Sequence, residues 1–170
     1  MSAYAPTNQK DFEIRHAFYT QAFDFIQSQR AHGPTFTLGD FNARLHHRQA
    51  GEESVLGAGV FGNAGRNINS TANRALLFEL CTSLDAFLAN TWLHQPEEYL
   101  VTYGESGVTP LDNISTSKFA QLDHILAPLH WENTVLRVYS GRTAPLRSHH
   151  FCLLMELDIQ TPVAQPRKRE

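Results

Sequence analysis

The sequence predicts an α/β domain of the α+β type, with one mixed or antiparallel sheet of five or six strands and two helices on one face. Three observations predict it. Residues 11–30 and 73–84 carry apolar side chains at three- and four-residue steps, the spacing of one helix face. Short apolar runs bounded by Gly, Pro and polar residues recur between and after them, as strands do. The chain has 170 residues, 42% hydrophobic and 18% charged, which is the composition of one folded domain able to bury ~70% of its unfolded surface. That domain is expected over 1–159, with the polar segment 160–170, holding Pro162 and Pro166, as a disordered tail.

The elements follow in order. Residues 1–7 read as a strand end closed by Pro6. Residues 11–30 are the stronger helix, with Phe12, Tyr19, Ala22, Phe23 and Ile26 on its core face and His32-Gly33-Pro34 as its stop. Thr35-Phe36-Thr37-Leu38 is a short core strand that runs into Gly39-Asp40-Phe41-Asn42. Residues 43–70 form a long Gly-rich polar connection, a type of loop that is usually functional or mobile. His46 and His47 at its start have no third ligand at a helpful spacing, so they are read as solvent-facing rather than as a metal pair. Residues 73–84 are the second helix, capped by Ser70 or Thr71, with Leu76, Leu77, Leu80, Cys81 and Leu84 turned inward. Residues 87–92, 99–103, 121–126, 134–139 and 151–157 read as strands. Polar, turn-rich residues 104–118 and a loop at 141–147 separate them, and there is no internal repeat.

Bulk properties narrow the partners. A net charge of −3 supplies no global basic field, so phosphate contacts would have to be local, among Arg44, Arg48, Arg66, Arg74, Arg142 and Arg147. Each of these arginines also reads as an ordinary solvated surface residue. The cysteines, Cys81 and Cys152, sit in apolar elements as buried thiols, with no disulfide framework and no zinc spacing. No apolar stretch reaches the ~18 residues of a membrane span, and no basic segment followed by an apolar run opens the chain. An intracellular protein, nuclear or cytoplasmic, with no membrane partner, is expected. Arg167-Lys168-Arg169 reads either as a nuclear address or as a solvated end.

Three segments carry chemistry. Asp40 and Asn42, one spacer apart at a strand end, would share a face at period two. An Asp can orient or deprotonate a water, and an Asn can hydrogen-bond an oxyanion, which suits attack on a phosphate ester. The bland alternative is an Asp capping a turn. Asp123 lies inside the apolar run Gln121-Leu122-Asp123-His124-Ile125-Leu126 and is costly there without a partner. Alternation puts Leu122, His124 and Leu126 on one face and Gln121, Asp123 and Ile125 on the other. His150, in Ser148-His149-His150 at the mouth of the last strand, can be the partner of Asp123, and an adjacent carboxylate would keep its imidazole protonated and oriented. Asp123 paired with an arginine or a backbone amide, and His150 as a satisfied core histidine, remain the alternatives.

The ordered set Tyr4-Ala5-Pro6-Thr7, Gly39-Asp40-Phe41-Asn42, Asn90-Thr91, Gln121-Leu122-Asp123-His124-Ile125-Leu126 and Ser148-His149-His150 resembles the endonuclease/exonuclease/phosphatase superfamily, most of all the endonuclease domains of non-LTR retrotransposons. The resemblance covers roughly residues 3–158 and implies part of a two-sheet phosphoesterase sandwich. It implies that Asp40 aligns the attacking water, that Asn42 and Tyr4 reach the scissile phosphate, and that His150, paired with Asp123, stabilises the charged transition state. It further implies substrate binding by Asn90, Arg66 and His149, contacts from Asn63, Asn67 and Asn69, and DNA as the substrate; Asn90, at a strand end, also reads as a brace for a catalytic loop or as a simple turn residue.

Two departures qualify these implications. The family's first lobe supplies an Asn and a metal-binding Glu, and that lobe does not precede Tyr4 here. The family's Ser-Asp-His is Ser148-His149-His150, so an acid has become His149. Mg²⁺ or Mn²⁺ is the cofactor the family implies, yet a hard cation wants an oxygen cage that loses two of its members here, so no metal ligand is assigned to this chain. The expected function is a metal-dependent phosphodiesterase of endonuclease type, weakened or lost without the first lobe. The alternatives are an inactive remnant acting as a binding module and a relative acting on a lipid or nucleotide phosphate. A sheet face left bare by the missing lobe would invite a second chain.

Overall fold

The computed structural model describes residues 1–30, 33–68, 72–105, 114–141 and 148–159. Its elements are β1 (Ser2–Tyr4), α1 (Phe12–Gln29), β2 (Thr37–Asp40), α2 (Asn73–Ser83), β3 (Ala86–Leu88), α3 (Ala89–Trp92), α4 (Glu97–Leu100), β4 (Tyr103–Gly104), β5 (Phe119–Ala120), β6 (Asp123–Pro128), β7 (Val135–Gly141) and β8 (Cys152–Leu157). The central sheet has four strands in the order β1-β2-β6-β3. β1 runs parallel to β2, and β6 is antiparallel to both β2 and β3. The remaining strands form two-stranded pairs, β4-β5 and β7-β8. The class is the expected mixed α+β, but its strands divide among three sheets where one sheet of five or six was expected.

α1 and α2 pack on one face of the central sheet, through Tyr19, Ala22, Ile26, Leu76, Leu77 and Leu80. The β7-β8 hairpin covers the other face, where Val135, Val138, Leu153 and Met155 meet Phe87, Ile125 and Ala127. Alternation along β6 explains this two-sided core, since Leu126 enters the helix side and Ile125 the hairpin side. The bare face expected on the sheet is therefore not on its central strands. Half-exposed apolar surface falls instead on β8, where Leu154 is 40% exposed.

Several local expectations are corrected. Phe12 is 41% exposed, and the buried stripe of α1 is Arg15, Tyr19, Ala22 and Ile26, because the tight packing with α2 lies along that line. The stretch 87–92 is not one strand. β3 ends at Leu88, and Ala89–Trp92 turns into a helix pinned by the Thr91 hydroxyl, which donates to the Leu88 carbonyl (2.7 Å) and accepts the Gly57 amide (2.9 Å). The stretch 99–103 begins as the short helix α4 after Pro96, and only Tyr103 and Gly104 are extended strand. The residue before α2 is Ala72, whose side chain cannot cap; Ser70 and Thr71 lie outside the described residues. Cys152 is partly exposed rather than buried, whereas Cys81 is fully enclosed and its thiol pKa is driven upward by burial. Arg142, Arg147, Asn69, His32, the loop from 142 onward and the tail 160–170 also lie outside the described residues.

Gly39 shows why β2 needs a glycine. A Cβ there would run into the Ala3 carbonyl of the neighbouring parallel strand. Gly39→Ala is expected to lower stability by about 1–3 kcal/mol through overpacking, measured as a reduced urea midpoint with an unchanged slope.

Candidate active site

Register delivers the first carboxylate. Tyr4 pairs with Asp40 across β1-β2, and Asp40 pairs with Asp123 across β2-β6, so the three residues lie side by side at one end of the sheet. The third segment arrives from β8. His150 forms an antiparallel bridge with Tyr103 of β4, which brings its ring to the same end.

His150 is the centre of the constellation. Its Nδ1 lies 2.9 Å from the Asp123 Oδ2, and its Nε2 lies 3.8 Å from the Asp40 Oδ2. The imidazole pKa is raised above its ordinary 6.5, chiefly by the hydrogen bond to Asp123, with partial burial opposing and the charges of Asp123 and Asp40 adding. Asp40 is 8% exposed. Burial pushes its carboxyl above the ordinary 3.8, the Asn42 amide partly offsets this, and Asp123 adds repulsion while His150 adds attraction. The site thus pairs a carboxylate of enhanced basicity with an imidazole biased toward its cation.

Asn42 is placed differently from the period-two reading. β2 ends at Asp40, and Asn42 sits at φ +48°, so the two side chains are not related by strand alternation. Asp40 Oδ1 instead accepts the Asn42 backbone N–H (2.8 Å), and Asn42 Nδ2 donates to the Ala5 carbonyl (2.7 Å). This turn is gripped from behind. The Tyr19 hydroxyl donates to the Phe41 carbonyl (2.9 Å), and Asn73 Nδ2 reaches the carbonyls of Pro6 (2.7 Å), Asn42 (3.2 Å) and Phe41 (3.3 Å).

Tyr4, Asp40, Asn42, Tyr103 and His150 line a surface cavity of about 480 Å³. Tyr4 is 74% exposed, with its ring on the open side. Asn90 does not join them. It is 2% exposed, its Oδ1 accepts the Ile125 amide (3.1 Å), and its Nδ2 donates to the Asp123 carbonyl (3.3 Å). Its expected substrate contact is corrected to a brace on β6, since α3 turns it into the core. His149 is exposed beside the Tyr103 ring, 6.2 Å between centroids. His124, wholly buried behind the site with its pKa lowered to about 4 by burial, contacts Asn90 and the Ala43 carbonyl (3.1 Å).

A second cleft of about 650 Å³ adjoins the first and shares Asn8 and Arg44 with it. Arg66, His46, Asn63, Asn67, Phe61 and Phe119 line it, and among the described residues no carboxylate side chain does. The pKa of His46 is lowered by burial and then by Arg66 and Arg44, which marks the local potential as positive. Arg74 at the cleft floor is already committed. It forms a two-pronged bond to Glu52 (2.8 and 2.6 Å) and donates to the carbonyls of Leu45 (2.9 Å) and His47 (3.0 Å), which fastens the long loop to α2.

Mg²⁺ and Mn²⁺ fit this donor set poorly. Among the described residues no three His, Cys, Asp or Glu side chains converge as a metal cage, and both nearby carboxylates face one imidazole. Sequence reasoning missed Thr102, Tyr103 and Asn73 at the site. A buried threonine and a tyrosine in the run Val101-Thr102-Tyr103 carried a signal only once the chain's path past His150 was visible.

No family model and no curated protein matches the sequence. Solved structures do. A 3′ phosphatase, NExo, from Neisseria, bound to a product DNA hairpin, is 13% identical with a TM-score of 0.62 over 93% of this chain and 60% of its own. An AP endonuclease from Archaeoglobus fulgidus is 14% identical with a TM-score of 0.62 and the same coverage of 93% and 60%. The endonuclease domain of TRAS1, a telomere-specific non-LTR retrotransposon, is 13% identical with a TM-score of 0.52 over 94% of this chain and 57% of its own. The fold is of the endonuclease/exonuclease/phosphatase type, and the chain spans about 60% of the length of the solved structures it matches.

Proposed function

We propose that the site is built to hydrolyse a phosphodiester of a DNA backbone by direct water attack. The observation that carries this is a cavity lined by Asp40 and His150, whose Nε2 lies 3.8 Å from the Asp40 Oδ2, with Asp123 holding the far ring nitrogen at 2.9 Å. Asp40, buried and of raised basicity, takes the proton of a water whose oxygen forms the new bond to phosphorus. The imidazolium of His150, oriented by Asp123, faces the charge that develops on the phosphoryl oxygens. The second Nδ2 hydrogen of Asn42 and the Tyr4 hydroxyl are further donors at the cavity. The bond to the leaving oxygen breaks, and that oxygen takes its proton from solvent. Product-bound DNA in the Neisseria structure supports DNA as the partner. The cleft beside the site, with Arg44 and Arg66, supplies the local positive surface that the net charge does not.

The resemblance implies metal dependence, whereas among the described residues no three His, Cys, Asp or Glu side chains make a cage. The experiment is cleavage of a labelled duplex with Mg²⁺, with Mn²⁺ and with chelator, comparing the wild type with Asp40→Ala. Cleavage lost in Asp40→Ala supports the reading. Equal cleavage by both proteins would overturn the role of Asp40, and none by either under all three conditions would overturn hydrolysis in favour of a non-hydrolysing binding module. That second reading draws on the incomplete cage and the exposed His149. Arg66→Gln is expected to weaken DNA binding across sequences and to reduce the slope of log affinity against log salt by about 1, measured by fluorescence anisotropy at several salt concentrations.

A further inference from the structure

The strap between α4 and β4 has a function that the reactive residues themselves do not explain. Thr102 is fully buried, and its one hydroxyl oxygen accepts two successive backbone amides, Leu122 (2.9 Å) and Asp123 (3.0 Å). Its own amide donates to the Ala120 carbonyl (2.9 Å), and its carbonyl accepts the Phe151 amide (2.7 Å). One residue therefore holds the start of β6 on one side and the residue after His150 on the other. The next two residues extend the same contact. The Tyr103 ring stands edge-on to the His150 imidazole, 5.2 Å between centroids, and the Gly104 amide donates to the His149 carbonyl (2.9 Å).

We propose that Thr102 is a positioning residue, its hydroxyl fixing where Asp123 stands relative to His150, and that Tyr103 seats the imidazole against that carboxylate. The physical ground is the geometry of β6. The backbone amide of Asp123 has no ladder partner on the Thr102 side, because β5 ends at Ala120 and the strand pairing with β2 begins at Asp123. A hydroxyl oxygen has two acceptor lone pairs, so the small side chain of Thr102 serves both amides at this fully buried position. Without it, two buried N–H groups lose their acceptor, and the segment carrying Asp123 is free to move away from the ring. A displacement of about 1 Å is enough to break a hydrogen bond of this length and to disable a pre-organised site.

The inference takes its functional meaning from the proposed role of the Asp123–His150 pair, but its test does not depend on cleavage. The groups that face the His150 ring are Asp123 from β6, Asp40 from β2 and Tyr103 from β4, with His149 adjoining in sequence. The experiment is an NMR titration of the His150 imidazole in the wild type and in Thr102→Val, Thr102→Ser and Thr102→Cys, with circular dichroism as the check on folding. Thr102→Val keeps the shape and removes the acceptor; Thr102→Ser keeps the acceptor. The expected result is a His150 pKa that moves down toward its ordinary value in Thr102→Val and stays raised in Thr102→Ser. If Thr102→Val does not fold, the Ser and Cys variants, one atom apart, give the same comparison, since sulfur is a weak acceptor. A His150 titration that is alike in the acceptor-bearing and acceptor-poor variants would overturn the inference. Failure of the wild type to cleave DNA, with the titration moving as expected, would count against the proposed hydrolysis alone.

Discussion

Asp123→Asn is expected to reduce phosphodiester hydrolysis by about 10²–10³-fold and to lower the His150 pKa at the same time. The carboxylate lies 2.9 Å from Nδ1, and it is the first cause of the raised imidazole pKa. An amide at that position can still accept a hydrogen bond, but it carries no charge to favour the cation. The pH dependence follows with a definite sign. In the wild type the imidazolium persists above its ordinary 6.5, so activity is expected to fall only as pH rises through that raised value. In Asp123→Asn the same alkaline limb moves to lower pH. The acid limb is expected from Asp40, whose carboxyl is raised above 3.8 by burial, with activity expected only once pH exceeds that raised value. Stability obeys the same linkage. The pair's contribution is fully present below the unfolded histidine pKa and is lost as pH rises through the folded one. A pH–rate profile of both proteins, with thermal melts at matched pH, checks these limbs.

Arg74→Met is expected to cost about 3–5 kcal/mol of stability, because it strands a buried carboxylate. The side chains of Arg74 and Glu52 are 6% and 10% exposed, with an N–O distance of 2.6 Å. Burial pushes the Glu52 carboxyl up, but the Arg74 bond and the Gln49 amide outweigh it, so the group titrates below its ordinary value. The sign is opposite to that of the histidine. This contribution is present above the unfolded carboxyl pKa and is lost as pH falls through the depressed folded value. The double variant Arg74→Met with Glu52→Leu is expected to recover most of the loss, since exchanging a whole buried pair for apolar groups is often neutral. Urea unfolding of the single and double variants measures both. The effect reaches the cleft as well, because Arg74 also holds the Leu45 and His47 carbonyls of the loop that lines it.

Which parts of the molecule were legible in the sequence has a physical pattern. The Asp123–His150 pairing was legible because a carboxylate in an apolar strand needs a partner, and the histidine at another strand mouth was available. The α1 and α2 helices were legible from their periodicity, and the structure ends them within two residues of expectation. What misled was local chemistry overridden by tertiary contacts. Residues 89–92 look like strand continuation, yet the Thr91 hydroxyl closes a turn and delivers Asn90 into the core. The Asn42 side chain looked paired with Asp40 by alternation, but a left-handed residue breaks that pattern. Thr102 gave no signal in one dimension, because its meaning lies in two amides some twenty residues further along the chain. The division of the strands into a central sheet and separate hairpins was equally hidden, since strand runs do not record which strands pair.

The proposed hydrolysis requires one phosphate seated between Asp40 and the Nε2 side of His150, with Asp123 holding the ring at Nδ1. The most direct measurement is an NMR titration of the His150 imidazole with and without a short single-stranded DNA, under conditions where no cleavage occurs. A backbone phosphate seated beside Nε2 adds negative charge next to the ring, so the account predicts a further rise in the His150 pKa and a shift of its Cε1–H that Asp40→Ala alters. DNA that binds elsewhere on the protein and leaves the His150 titration unchanged would contradict it.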